Sequence, residues 1–194
     1  MNDRQESEKK GASSTPEPNA RICHLSTGQG GEFVMVERIR AVLAERGLPG
    51  ALLTHTPREE SEHQLPPRRG IFDEQLLTPL TFQHLRRHLA SYELVVLHFI
   101  FNFASLLEMA YIRKVLGKKL IGVFHNNMDG PGGPCTRLFY RLRKAAIVGG
   151  AARLLSGAVF VTEVQRERYL SEYPALHRGP LCRAIHNFLP RGFL

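Results

Sequence analysis

The sequence predicts an α/β protein built on a doubly wound, mostly parallel sheet. After the first twenty residues, short apolar runs alternate with amphipathic stretches along the chain. The short runs are apolar almost throughout, which is typical of parallel strands covered by helices on both faces. The 194 residues, 43% of them hydrophobic, suit a single globular domain with a sizeable core.

Six apolar runs are the expected main strands. In chain order they read RICHLST, GALLTHT, ELVVLHFIF, KKLIGVFH, GAVFVTE and LCRAIHNFLP. A shorter run, GIFDEQLL, is expected as an additional strand, the third in chain order. Residues 57–70 before it are polar and rich in proline, which predicts a loop.

Five stretches with helical periodicity separate these runs. They read EFVMVERIRAVLAERG, PLTFQHLRRHLASY, SLLEMAYIRKVLG, RLFYRLRKAAIVGGAARLLS and VQRERYLSEYP. The apolar residues expected to share one side of the first helix are Val34, Met35, Ile39, Val42 and Leu43. Gly47 and Gly117 follow helices at positions typical of C-caps, and the pair Gly149 and Gly150 predicts a soft spot in the long helix.

The first 19 residues are polar, small and proline-containing, which predicts a disordered tail and not a secretory signal. No apolar stretch reaches the roughly 18 residues that a membrane span needs. The cysteines Cys23, Cys135 and Cys182 form no Cys-x-x-Cys pair, so neither a zinc nor a redox motif is expected. These features together favour a cytoplasmic protein.

The chain is basic, with a formal net charge of +8. Such a charge favours anionic partners: nucleotide phosphates, anionic lipid or nucleic acid. Nucleic acid is the least favoured of the three, because the chain has no Trp, no repeat of aromatic and basic residues and no finger spacing.

A glycine-rich segment joins the first strand to the first helix. Gly28, Gly30 and Gly31 lie where bare backbone and the positive end of the helix dipole can receive a phosphate. The alternative is a tight turn with no ligand. A nicotinamide cofactor is disfavoured, because Phe33 stands at the third glycine position of the dinucleotide fingerprint and the second strand ends in Thr-His-Thr with no acid.

Four segments resemble the family 4 glycosyltransferases. RICHLSTGQGGEFVMVERIRAVLAERG is similar to that family's first strand, Gly-Gly loop and helix ending in Arg-Gly. YELVVLHF resembles its D-V-V-H strand, and GAVFVTEVQRERYL its V-S-E-x-x-R-x-x-L strand and helix. AIHNFLP resembles the strand that leads into the second domain, with Phe188 where Gly is usual.

The resemblance implies the GT-B architecture, in which two Rossmann-like halves face one cleft. Residues 20–190 would form the N-terminal, acceptor-side half, residues 1–19 its tail and residues 191–194 the start of a linker. The donor half is expected to be missing, so the chain is either a fragment or works with a partner chain. The family's Glu-x7-Glu motif belongs to the donor half, and the spacing of Glu37 and Glu45 is interpreted as two surface acids.

The resemblance further implies transfer of a sugar from a nucleoside-diphosphate sugar to a glycan or lipid-linked acceptor, without a metal or other cofactor. Gly28, Gly30 and Gly31 would lie beside the donor diphosphate. His125 matches a histidine near the reacting sugar, with capping of the following loop as the alternative role. Asn126 and Asn127 would contact acceptor hydroxyls, or serve only as turn residues.

The remaining polar patterns carry weaker predictions. His24 and His98 lie in strands and are interpreted as core residues, and His84 and His88, four residues apart, lack an evident third metal ligand.

A basic stripe on the long helix predicts contact with an anionic membrane surface. Arg137, Arg141 and Lys144 form this stripe, and many members of the family use lipid-linked or membrane acceptors. The alternative is a solvated basic face on a helix packed against the sheet.

A different class of function stays open beside the enzyme. The second hypothesis is a non-catalytic module that binds a nucleotide or a sugar, and a nicotinamide-dependent oxidoreductase ranks third.

Overall fold

The structure, a computed structural model, describes residues 21–27, 30–56, 59, 61–66, 69–71, 74–99, 102–125 and 134–185. Its strands are β1 (Ile22–Ser26), β2 (Gly50–Thr54), β3 (His63–Gln64), β4 (Arg69–Ile71), β5 (Glu74–Leu76), β6 (Leu94–Phe99), β7 (Lys119–Phe124), β8 (Gly157–Phe160) and β9 (Leu181–Ala184). Its helices are α1 (Gly30–Glu45), α2 (Pro79–His88), α3 (Phe103–Ala110), α4 (Pro134–Leu154), α5 (Glu163–Glu172) and α6 (Ala175–Arg178), and a π-helical turn (Tyr111–Val115) continues α3.

The main sheet is parallel and doubly wound, as the sequence predicts. Its order is β3-β2-β1-β6-β7-β8-β9, and every neighbouring pair runs parallel. The chain moves outward from β1 to β3 on one side and from β6 to β9 on the other. The switch point therefore lies between β1 and β6, where open α/β sheets bind their ligands at the carboxyl ends of the strands.

The prediction for the third strand is wrong. GIFDEQLL contributes to an antiparallel hairpin of β4 and β5, which forms a separate two-stranded sheet. The third strand of the main sheet is instead β3, inside the segment predicted as a loop. Polar contacts hold it there: Thr54 Oγ1 lies 2.7 Å from Ser61 Oγ, and the Glu62 carboxylate accepts hydrogen bonds from Leu52 N and, at 2.7 Å, from Arg40.

Helices cover the two faces of the sheet unequally. In the larger core, the helices α2, α3, α4, α5 and α6 pack against one face of the sheet. The strand residues on this face include Leu25, Leu97, Phe124 and Phe160. On the opposite face, α1 packs over β1 and β2. At the far end of this face, Leu181 of β9 is exposed.

The buried side of α1 agrees only in part with the predicted one. Phe33 and Val36 pack with Leu52 of β2, whereas Val34 is exposed. Val42 and Leu43 are only half-buried. The prediction for Ile39 is confirmed, because it packs against the cluster of Ile22, Val96 and Val123, whereas the prediction for Val34 is wrong and Phe33 and Val36 were missed.

The glycines at the helix ends are confirmed as caps. Gly47 and Gly117 have φ angles of 76° and 68°, a region that favours glycine. The helix α4 runs without a break through the predicted soft spot, and Gly150 lies in close contact with α3, because a Cβ there would lie 2.9 Å from Leu106 Cδ1. Within the described part of the chain, no helix combines the length and apolar character needed to cross a bilayer.

Candidate functional site

Of the residues predicted for catalysis, phosphate contact or acceptor contact, the structure describes Gly30, Gly31 and His125, and these three lie at the carboxyl edge of the sheet. Helix α1 begins at Gly30, followed by Gly31, directly after the segment that leaves β1. His125 follows the last residue of β7. Gly28, Asn126 and Asn127 lie outside the described residues.

Three histidines on neighbouring strands form a hydrogen-bonded line, here called the histidine row: His24, His98 and His125. His24 Nδ1 lies 3.1 Å from His98 Nε2, and His98 Nδ1 lies 2.9 Å from His125 Nε2. The rings stack at centroid distances of 5.5 and 5.2 Å. His24 and His98 are buried and His125 is half-buried, so the row runs from the interior of the sheet to its edge.

Burial keeps the histidine row neutral at physiological pH. It lowers the pKa of His125 to about 4, and that of His24 to about 4 with help from the positive charge of Arg40. The pKa of His98 is lowered well below 6.5, first by burial and then by its two histidine neighbours. Neutral imidazoles can each donate one hydrogen bond and accept another, which is the chemistry a substrate hydroxyl requires.

A second buried pair, His55 and Glu108, lies at the carboxyl edge on the opposite face of the sheet. His55, directly after β2, places Nε2 2.8 Å from Glu108 Oε1 on α3 and Nδ1 3.1 Å from the Pro66 carbonyl. Because that carbonyl can only accept, Nδ1–H donates to it, and Nε2 faces the buried carboxylate. The pair ties the segment after β2 to α3.

The basic stripe on α4 requires a correction. Lys144 is buried, with Nζ 4.7 Å from the centroid of the Tyr169 ring and 3.9 Å from Glu172, so it faces the core and not a membrane. Arg141 is exposed, and the Arg137 side chain lies outside the described residues.

The solvent side of α4 carries large apolar side chains. Leu138, Phe139 and Leu142 are 59%, 64% and 63% exposed. Such a row of large exposed side chains is a recognised mark of a contact surface.

Sequence reasoning missed the histidine row and the pair of His55 with Glu108. The prediction that His24 and His98 are core residues is confirmed by their burial, but their link to His125 depends on strand register. An acid inside the apolar stretch ASLLEMAYI was the available signal for Glu108. Among the described residues, no group of three or more His, Cys, Asp or Glu side chains is arranged to hold a metal ion.

The fold is similar to that of Phytolacca americana UGT2 complexed with UDP-2fluoro-glucose and pterostilbene. The TM-score is 0.55 and the sequence identity 13%, and the match covers 90% of this chain and 55% of that one. This chain thus spans about half the length of that protein. No family model matches the chain, and no curated protein sequence matches it.

The likeness concerns the fold. It agrees with the predicted Rossmann-like α/β half of a GT-B architecture.

Proposed function

We propose that the chain is the acceptor-side half of a GT-B glycosyltransferase of the family 4 type. It would help transfer a sugar from a nucleoside-diphosphate sugar to a glycan or lipid-linked acceptor, with the nucleotide sugar as co-substrate and no metal or other cofactor. The observation that carries the proposal is the half-length fold match to a protein complexed with a UDP-sugar. The second half would come from the same polypeptide or from a partner chain.

His125 is the proposed catalytic residue. It follows a central strand at the edge where parallel sheets bind ligands, and its neutral imidazole suits a hydrogen bond to a hydroxyl of the sugar or the acceptor. Asn126 and Asn127 would add acceptor contacts beside it.

The glycine segment is the proposed donor-phosphate contact. Gly28, Gly30 and Gly31 precede or open α1, a helix of 16 residues whose first N–H groups lack helical partners. As the nucleoside diphosphate leaves, negative charge grows on its phosphate oxygens, and unpaired N–H groups stabilise that charge.

Replacement of His125 tests the enzymatic proposal. In the complete two-part enzyme, His125→Ala should lower kcat/KM for transfer at least about tenfold, equivalent to about 1.4 kcal/mol in the barrier. Release of nucleoside diphosphate coupled to glycosylated product is the measurement. His177→Ala, at an exposed position of α6, is the matched control and should keep wild-type turnover.

Binding without turnover would favour the second hypothesis. If the complete protein binds nucleotide sugars or glycans but transfers none of a panel of sugars, the chain is a non-catalytic binding module. Wild-type turnover of His125→Ala would instead return His125 to a loop-capping role.

We also propose that α4 rests on an anionic membrane on the cytoplasmic side. Leu138, Phe139 and Leu142 provide exposed apolar surface, and Arg141 beside them together with the net charge of +8 favours anionic lipid. Leu142→Ser should weaken sedimentation with anionic vesicles. Leu181→Ser, equally exposed at 63% but on β9, is the matched control. Equal binding to uncharged vesicles, or no effect of Leu142→Ser, would contradict this contact.

A further inference from the structure

Successive histidines of the histidine row are offset by the same number of residues along their strands. His24 pairs in register with Val96, two residues before His98, and His98 pairs with Val123, two residues before His125. Each step therefore advances two residues toward the carboxyl edge. Because side chains two residues apart share a face, all three rings lie on the α1 face of the sheet.

The hydrogen bonds between neutral imidazoles in such a row must all run in the same donor-to-acceptor direction. Each ring holds one N–H and one bare nitrogen, so a ring that accepts at one nitrogen must donate from the other. Two arrangements satisfy both hydrogen bonds. In the first, His24 Nδ1–H donates to His98, which donates from Nδ1 to His125 Nε2, and in the second both bonds reverse.

The buried end of the row separates the two arrangements. Within the described part of the chain, His24 Nε2 is buried without a hydrogen-bond partner. It lies against Gly50, where an added Cβ would lie 2.9 Å from it. The second arrangement would leave a buried, unpaired N–H at this atom, whereas the first leaves a bare nitrogen. In folded proteins, buried N–H groups without a partner are rarer than buried acceptors without one.

The charge next to this end favours the same arrangement. The Arg40 guanidinium donates from Nε to the Gly50 carbonyl at 3.0 Å, so a positive charge lies beside the glycine that His24 Nε2 touches. A cation favours a bare nitrogen lone pair over an N–H dipole that points its hydrogen outward. The cost of a buried, unpaired N–H and the nearby positive charge therefore favour the same arrangement.

We propose that His24 and His98 are positioning residues that fix the tautomer of His125, with Nδ1 protonated and Nε2 occupied by His98. His125 is thereby set as a hydrogen-bond donor toward an oxygen of the substrate, a hydroxyl or a phosphate oxygen. This part rests on the proposed function. The tautomer itself is a property of the folded chain and is measurable without any substrate.

Nitrogen NMR of the full chain tests the tautomer directly. With 15N-labelled histidine at pH 7, long-range proton–nitrogen correlations distinguish protonated from bare ring nitrogens. We expect His125 to carry its proton on Nδ1. A proton on Nε2 of wild-type His125, or a doubly protonated ring, overturns the proposal without any variant.

His98→Phe tests the positioning role, because phenylalanine keeps a flat ring and removes both nitrogens. His125 should then show a mixture of both tautomers, and in the complete enzyme kcat should fall about tenfold while KM for the nucleotide sugar stays near wild type. An unchanged His125 tautomer in folded His98→Phe overturns the proposal. The exposed control His177→Gln should change neither quantity.

The proposal about the tautomer and the proposed function can be refuted independently of each other. The expected tautomer without sugar transfer by the complete protein refutes the proposed function and leaves the row's directionality standing. Transfer that depends on His125 with the opposite tautomer refutes this inference and leaves the proposed function standing.

Discussion

Acidification from pH 7 to pH 5 should destabilise the folded chain through the histidine row. The pKa values of His24 and His125 are about 4 in the folded state, against an ordinary value of 6.5, chiefly because of burial. Between these values the unfolded chain binds more protons than the folded chain. The stability that these neutral histidines contribute is therefore fully present above pH 6.5 and is lost as the pH falls toward 4.

The size of the loss follows from the two lowered pKa values. Proton linkage gives about 2 kcal/mol at pH 5 for each of His24 and His125, and about 4 kcal/mol for both together. His98, whose pKa is also lowered, acts in the same direction. A loss of this size is a large part of the roughly 5–15 kcal/mol that stabilises a typical domain.

Urea unfolding followed by far-ultraviolet circular dichroism, at pH 7 and pH 5 and constant ionic strength, measures this loss. In His125→Gln the loss should be smaller than in wild type by about 2 kcal/mol, because one titrating group has gone. His177→Gln, at an exposed position, should lose as much as wild type. Equal wild-type stability at both pH values, or an unchanged loss in His125→Gln, would refute the reasoning.

The remaining predictions concern three glycines. Gly179→Ala should lower the free energy of unfolding by about 1–3 kcal/mol, because the new Cβ would overlap the carbonyl oxygen of Ala152. Gly149→Ala should raise it by about 0.5–1 kcal/mol, because no heavy atom lies within 4 Å of its Cβ among the described contacts and the helix gains propensity. Chemical denaturation measures the free energy of unfolding of both variants. Equal changes would contradict the predicted overlap at Gly179. If the proposed donor-phosphate contact is right, Gly31→Val in the complete enzyme should lower kcat/KM for transfer strongly while the circular dichroism spectrum stays native, because a branched side chain would intrude on the diphosphate. Unchanged kcat/KM would remove the glycine segment from the proposed site.

Local patterns predicted most of the fold. The six main strands and five helices are confirmed because apolar run length and periodicity are local properties, and Gly47 and Gly117 are confirmed because a left-handed cap needs glycine. The strand β3 was missed because polar partners hold it. Arg40 and Glu62, 22 residues apart in sequence, meet at 2.7 Å, and no periodicity encodes such a pair.

The site was only partly predictable, since it depends on strand register and on helix packing. The position of His125 after an apolar run predicts its place at the sheet edge. Its link to His98 follows from the pairing of β6 with β7, which run length does not reveal. The spacing of basic residues along α4 predicts a surface position for Lys144. The prediction is wrong because Lys144 lies over Tyr169 of α5, a contact between two helices that the spacing along one helix does not reveal.

Sugar transfer by the chain with and without a second Rossmann-like half is the most direct test of the proposed function. Positioning both substrates contributes roughly 7–11 kcal/mol only when both walls of the cleft are present. With a panel of nucleotide sugars and a membrane extract as acceptor source, residues 1–194 alone should release no nucleoside diphosphate coupled to product. The same chain joined to its second half should turn over with at least one donor. Robust transfer by the 194-residue chain alone, or none by the joined protein with any donor, would contradict the proposal of an acceptor-side half-enzyme.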